Sequence, residues 1–309
     1  MEQRGGWRPR SLSVLVPVYN EQATILEVIG RLQGLQFPVP TEIIVVDDGS
    51  TDATRRLLLQ LNGRPANHPL RVFFHDENRG KGAAVRTAMD QARGDILVIQ
   101  DADLELDPQD LIGLLQPLLA QEAEVCYGSR FLRPEPAFYR LGTYWANRLL
   151  NLLSNLLNGI WISDFNTCYK MFTARVKERL DLSSCGFAME AEITAKLARM
   201  GLDIHERPVG YRPRSPSQGK KIRARDLLSY LWAMLRFRFA PGSGERHPTR
   251  VVRLAPAAVS SMPPLPDWPV VTELQEAWNA LWQPTDEPAR LDAPGPQESP
   301  QLLESPTAR

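Results

Sequence analysis

The densest chemistry in this chain is the acidic run Gln100-Asp101-Ala102-Asp103-Leu104-Glu105-Leu106-Asp107. Carboxylates at 101, 103 and 105 alternate, so an extended backbone would turn all three to one side. Like charges on one side repel unless a cation lies between them. Oxygen ligands of this kind suit Mg2+ or Mn2+, with phosphates of a ligand completing the coordination shell. An EF-hand loop counted from Asp101 would need Gly at its sixth position and Glu at its twelfth. Those positions are Leu106 and Ile112, which removes that reading. A solvated acidic turn is the remaining alternative.

The elements that must hold this run are legible in the apolar patterning. Ser11–Val18 is a short apolar strand, Glu21–Leu35 has helical spacing, and Thr41–Val46 is a β-branched run stopped by Asp47-Asp48-Gly49-Ser50. Thr51–Leu61 reads as a helix, Leu70–His75 as a strand, Gly82–Ala92 as a helix and Asp95–Gln100 as a buried strand. Pro108–Gln121 and Glu124–Gly128 continue the alternation. Strands and helices alternating at these lengths predict an α/β fold, a mainly parallel Rossmann-like sheet covered on both faces. Ligands of such sheets bind beyond the carboxyl ends of the strands, where this chain places its unusual polar residues. The first strand ends in Pro17-Val18-Tyr19-Asn20-Glu21 and lacks the glycine-rich turn of a dinucleotide-binding fold or a pyrophosphorylase. Tyr19 is placed to stack on a base, and Glu21 to cap the next helix or contact a nucleoside. Asp47, ending the second strand, is the acid expected to meet ribose hydroxyls or a base edge. Asp52 reads as a structural residue at a helix N-terminus.

The 309 residues are not uniform. Residues 241–309 hold 13 of the 26 prolines and no long amphipathic period, and read as a disordered tail. The expected organisation is a flexible N-terminus over 1–10, one domain over 11–240, and the tail. The net charge of zero hides a tail of −4 and a domain of +4. Between Arg207 and Arg238 there are nine Lys/Arg and one acid, Asp226, a stretch suited to phosphates or an anionic membrane surface. The cysteines (Cys126, Cys168, Cys185) have no C-x-x-C spacing, which argues against a zinc site and for a reducing compartment. No signal peptide or membrane-spanning run is recognisable. A cytoplasmic protein, peripheral at the membrane face, is the expectation.

Taken together in order and spacing, P-V-Y-N-E at 17–21, V-D-D-G-S-T-D at 46–52, N-R-G-K-G-A-A-V at 78–85 and Q-D-A-D-L at 100–104 resemble family-2 glycosyltransferases of the GT-A fold. Within that family the chain is similar to the dolichyl-phosphate and other polyprenyl-phosphate mannose and glucose synthases. Gly128-Ser129-Arg130-Phe131, the segment Asp164–Phe172, Glu190–Thr194 and Gly219–Ile222 extend the resemblance over about residues 11–238. It implies that Pro17, Tyr19, Glu21, Val46 and Asp47, with Lys81 and Ala102, contact the nucleotide-sugar donor. It further implies that Asp101 and Asp103, with Glu105 as a third ligand, hold the metal and diphosphate. Arg130, Arg140, Arg212 or Arg214, and Lys221 are implied to hold donor and acceptor phosphates, with Arg130 and Asp164 beside the reaction. The choice between Arg212 and Arg214 stays open at this point.

Two further segments bear on the acceptor. Across Phe138–Ile162, Asn147, Asn151, Asn155 and Asn158 form a polar stripe among leucines, an amphipathic helix suited to a membrane interface, a lipid groove or packing on the sheet. Asp226 reads as the N-cap of a second helix, Leu227–Phe239, whose aromatics mix with Arg236 and Arg238. The expected activity is inverting transfer of a hexose from a UDP- or GDP-sugar to a polyprenyl phosphate. One alternative is a family-2 transferase acting on a sugar or lipid hydroxyl, with Asp164 or Glu190 as base. Another is a non-catalytic nucleotide-sugar-binding scaffold.

Overall fold

The structure, a computed structural model, describes residues 8–61, 66–133, 141–186, 188–214, 224–239 and 251–253. Arg140 and Lys221, two of the expected phosphate-binding residues, lie outside the described residues. The chain runs β1 (Leu12–Val18), α1 (Ile25–Gly34), β2 (Thr41–Asp47), α2 (Thr54–Leu61), β3 (Leu70–Phe74), α3 (Lys81–Gln91), β4 (Ile96–Ile99), α4 (Asp110–Leu119) and β5 (Val125–Ser129). It continues through α5 (Leu141–Asn158), β6 (Lys170–Thr173), α6 (Ala174–Arg179), α7 (Met189–Arg199), β7 (Ile204–Pro208), α8 (Ala224–Phe239) and β8 (Val251–Arg253).

The strands form one sheet in the order β3-β2-β1-β4-β6-β5-β7-β8. Every neighbouring pair is parallel except those of β6, which runs against both β4 and β5. Central strands buried on both faces carry continuous apolar words rather than alternation. β1 and β4 are of this kind: Leu12, Val14, Leu15 and Val16, and Ile96 to Ile99, have no exposed surface. The register pairs Val18 with Asp47 and Leu15 with Ile99, so the polar ends of β1, β2 and β4 reach one edge of the sheet together.

That edge explains why α1 starts later than the periodicity suggests. Asn20 takes a left-handed backbone, φ 54°. Its side chain accepts from the Thr51 amide at 2.8 Å, and its amide donates to Ser50 Oγ at 2.9 Å. The chain after β1 straps two strand-end loops together before the helix begins.

The helices near the far edge differ from expectation in instructive ways. α8 starts at Ala224, so Asp226 lies within its first turn instead of capping it. α5 stops at Asn158 because Gly159 follows at φ 68° and returns its amide to the Asn155 carbonyl at 2.8 Å. The sheet also continues past the boundary expected at residue 240. Ile204, His205 and Glu206 pair in parallel with Val251, Val252 and Arg253.

Candidate active site

The acidic run is not extended. Leu104 adopts φ 58° and the loop turns tightly after β4, so the three acids do not fall on one side. Asp101 turns to Lys81, at 2.8 Å. Asp103 and Glu105 turn to Arg214 from the far end of the domain. The turn is fixed from beneath. Gln100 is fully buried, donates to the Asp101 carbonyl at 2.9 Å and accepts from Tyr169 Oη at 2.7 Å. Thr24 Oγ1 donates to the Ala102 carbonyl at 2.7 Å, which ties the loop to α1.

Arg214 sits in a nest of carboxylates. It makes a two-pronged contact with Glu21 at 2.9 and 3.1 Å, and its Nη2 reaches Asp103 Oδ2 at 2.9 Å. Its Nε lies 4.0 Å from Glu105 Oε1, and its amide donates to that same oxygen at 3.0 Å. Glu105 spends its other oxygen on Tyr211 Oη at 3.1 Å, and its carbonyl accepts from the Arg212 amide at 2.8 Å. The structure thus separates the two candidates. The Arg214 guanidinium is inside the site, and Arg212 contributes a backbone bond to its frame. Burial pushes the Asp103 carboxyl up to about 7; the charges of Asp101 and Glu105 add to this, and Arg214 opposes it.

A second ion-pair system lies beside the first. Arg130 grips Asp164 through Nε at 2.7 Å and Nη2 at 2.8 Å, and its amide adds a third bond at 3.1 Å. The Arg130 guanidinium stacks over the Tyr211 ring at 5.0 Å. Tyr211 therefore joins the two arginine systems, through its face to Arg130 and through its hydroxyl to Glu105. Lys81 belongs to a third, deeper chain: Asp101–Lys81–Glu190–Lys170, with Lys81 3.2 Å from Glu190 and Lys170 2.5 Å from it. Burial would strip charge from Lys81, but Asp101 and Glu190 reverse that and hold its pKa well above the ordinary range. Lys170, fully buried, also donates to the Phe165 and Thr167 carbonyls at 2.8 and 2.5 Å.

At the end of β2 the paired acids divide their work. Asp48 accepts from the Arg79 and Gly80 amides at 3.0 and 2.7 Å and from His75 Nδ1 at 2.7 Å, which fixes the loop before α3. Asp47 is fully buried; one oxygen accepts from the Ser50 amide at 3.2 Å and the other has no hydrogen-bond partner among the described residues. A buried acceptor without a donor is costly and marks a place for a ligand hydroxyl or N–H. Pro17 and Val46 are paired in register and buried, so they form the floor there, while Tyr19 is half-buried at the rim. Asp52 accepts from the Thr54 amide at 2.9 Å, the structural role read from its position.

The donor set suits a hard divalent cation. It consists of the carboxylate oxygens of Asp101, Asp103 and Glu105, the hard ligands such an ion takes. The described residues contain no preassembled group of three or more metal-binding side chains; Lys81 and Arg214 are the cations paired with Asp101 and Asp103. Lys170 and Tyr211 are the residues that sequence reasoning gave no role. Lys170 had a signal, a lone lysine opening the apolar strand Lys-Met-Phe-Thr; Tyr211 had none.

The family model for glycosyl transferase family 2 matches residues 13–180. The chain belongs to glycosyltransferase family 2. It is 27% identical over 239 residues to a dodecaprenyl-phosphate galacturonate synthase of Rhizobium johnstonii, covering 75% of this chain and 69% of that protein. It is 30% identical over 171 residues to an undecaprenyl-phosphate 4-deoxy-4-formamido-L-arabinose transferase of Pseudomonas aeruginosa, covering 55% of this chain and 49% of the relative. Several of its curated relatives are thus matched over only about half their length. Among solved structures, glucosyl-3-phosphoglycerate synthase of Mycobacterium tuberculosis, in complex with Mn2+, UDP and phosphoglyceric acid, superposes with a TM-score of 0.57 at 25% identity, over 76% of this chain and 81% of that one. The fold is GT-A-like.

Proposed function

We propose that this glycosyltransferase moves a hexose from a nucleotide-sugar to a polyprenyl phosphate at a membrane surface. The observation that carries the reading is the meeting, beyond β1, β2 and β4, of carboxylates that call for a cation with arginines that bind phosphate. In this reading Asp101 and Asp103 hold Mg2+ or Mn2+, with Glu105 beside them. The ion, when bound, neutralises the leaving nucleoside diphosphate. The unpartnered oxygen of Asp47 accepts from the nucleoside, with Tyr19 at the rim. Lys81 fixes the rotamer of Asp101. Arg130 and Arg214 orient the phosphates, together with Arg140 and Lys221.

A phosphate monoester has its second pKa near about 6, so the acceptor arrives as an anionic nucleophile and requires no base. The ion pairs support this choice over a hydroxyl acceptor. Asp164 and Glu190, the acids available as bases, are 1% and 2% exposed and each is bound to a cation. The names of the galacturonate and arabinose transferases, which specify prenyl-phosphate chemistry, support it further.

Surface chemistry favours a peripheral membrane contact on the cytoplasmic side. No described helix is long and apolar enough to cross a membrane. Trp145, Leu149, Leu152 and Leu156 of α5 are nevertheless 44 to 62% exposed, beside Trp161, and on α8 Trp232, Leu235 and Phe239 are also exposed. Arg148 and Arg236 are exposed near them, and α5 carries no acid. Apolar area edged by arginine suits an anionic lipid surface.

A donor panel of UDP- and GDP-sugars against undecaprenyl phosphate, dolichyl phosphate and a neutral lipid alcohol, with and without Mn2+, tests the reading. Metal-dependent product on the phosphates alone is expected. Transfer to the alcohol with none to the phosphates would overturn it. Asp103→Asn should abolish turnover while leaving the melting temperature within a few degrees; near-normal turnover would remove the metal from Asp103.

A further inference from the structure

We infer that Arg214 is the built-in counter-cation of the acidic loop, that it and a divalent cation exclude one another at Asp103, and that loading the donor site frees Arg214 for phosphate. The inference rests on the proposed metal-holding role of Asp101 and Asp103 and adds an order of events to it.

The geometry is that of an occupied cation site. Both oxygens of Asp103 are engaged: Oδ1 accepts from the Glu105 amide at 3.0 Å and Oδ2 from Arg214 Nη2 at 2.9 Å. Glu21 closes the other side with its two-pronged contact. Burial works against the charge of Arg214, but Asp103 and then Glu21 outweigh it and raise its pKa. A metal that takes a carboxylate oxygen in its first shell binds at about 2.0–2.2 Å. It cannot share Oδ2 with a guanidinium in hydrogen-bonding contact without placing two cations side by side in a poorly solvated pocket.

The main chain delivers the guanidinium to this position. The Gly210 amide binds Asp110 Oδ2 at 2.6 Å, the Arg212 amide binds the Glu105 carbonyl, and the Arg214 amide binds Glu105 Oε1. The segment 210–214 is stitched along the acidic loop, so its side chain can swing while its backbone stays anchored. Arg214 Nε, buried and without a hydrogen-bond acceptor among the described residues, shows that the nest does not satisfy the guanidinium completely. A phosphate would.

Two consequences follow from linkage. Metal affinity is reduced by the fraction of molecules in which Arg214 is seated. A phosphate-binding arginine is withheld until the donor side is filled, which orders donor before acceptor.

The test is Mn2+ binding to the full-length protein without donor, read from the electron paramagnetic resonance signal of free aqueous Mn2+. Arg214→Ala should bind Mn2+ about tenfold more tightly than wild type, and Arg214→Gln should do the same if the alanine variant folds poorly. Adding Asp103→Asn to either should erase the gain. The rise in melting temperature on adding Mn2+ should be larger in Arg214→Ala than in wild type. If both Arg214 variants bind Mn2+ no more tightly than wild type while Asp103→Asn abolishes binding, the exclusion is wrong and the metal site stands. If Asp103→Asn binds Mn2+ like wild type, the metal-holding reading fails, and the inference fails with it.

Discussion

Asp164 is 1% exposed, and Arg130 meets it with three hydrogen bonds, two from the guanidinium and one from the backbone. Removing one member of such a pair leaves the other buried and uncompensated, a loss of about 3–5 kcal/mol. Arg130→Ala should therefore lose that much in urea unfolding, along with activity. Arg130→Lys should recover part of the stability and little of the activity, since an ammonium cannot reproduce the two parallel bonds or the stacking on Tyr211. Equal stability for wild type and Arg130→Ala would show that the pair does not hold the fold together. At this scale the sequence pointed to side chains that the fold brings together, but not to what each one holds. Asp101, Asp103, Asp47 and Arg130 all lie in the candidate site. Their partners do not follow from local spacing, because Asp103 and Arg214 are 111 residues apart and Lys81 and Glu190 are 109 apart. Even the local argument for the acidic triplet needed correction. Its alternation assumed an extended backbone, and the left-handed Leu104 breaks it.

α5 shows the same division in a helix. The helical spacing of Asn147, Asn151, Asn155 and Asn158 was readable, but which face meets protein was not. The stripe turns inward. Asn151 and Asn155 are buried and both donate to the Ile162 carbonyl at 2.8 Å, while Asn151 Oδ1 accepts from the Phe165 amide at 2.9 Å. These bonds satisfy the irregular segment that leads to Asp164, which an apolar helix face could not do. Leu149, Leu152 and Leu156 are left outside. Leu149→Glu with Leu156→Glu should thus abolish cosedimentation with anionic vesicles and change stability by no more than about 0.5 kcal/mol per site. Unchanged vesicle binding would dissociate α5 from the membrane. Asn151→Ala should instead unfold the protein earlier, by about 1–3 kcal/mol. α7 adds a pH-dependent contribution. Burial tends to raise the Glu192 pKa, but Lys196 and the amides of Ser183 and Ser184 outweigh it and hold the carboxyl below its ordinary value of 4.5. A depressed carboxylate stabilises the fold above its unfolded pKa and loses that contribution as pH falls through the folded one. The melting-temperature gap between wild type and Glu192→Gln should be full at pH 7 and close below pH 4.5. A gap that stays constant with pH would assign the loss to packing.

For the molecule as a whole, the alternation of strands and helices was sufficient to predict a parallel, doubly covered sheet, because each apolar run and each turn signal is local. The half of the sheet beyond β4 was not legible. β6 runs antiparallel between β4 and β5, and a short strand late in the chain closes the far side. Val251-Val252-Arg253 is too short to stand out from its proline-rich surroundings, and only β7 gives it a reason to be extended. The boundary expected at residue 240 therefore leads to a sharper experiment than removal of everything beyond it. Ending the chain at Arg253 keeps the strand that pairs with Ile204–Glu206, so melting temperature and turnover should match the full-length protein. Ending it at residue 244 removes β8 and leaves β7 as an open edge whose amides and carbonyls seek new partners. That protein should melt lower and form soluble aggregates visible by light scattering, while its initial rate per folded molecule stays close to normal, since the site is built beyond β1, β2 and β4 and β8 is the last strand on the far side of the sheet. Identical behaviour of the two truncations would show that β7 does not need the strand. Loss of turnover in both truncations would show that residues 254–309 contribute to activity in their own right.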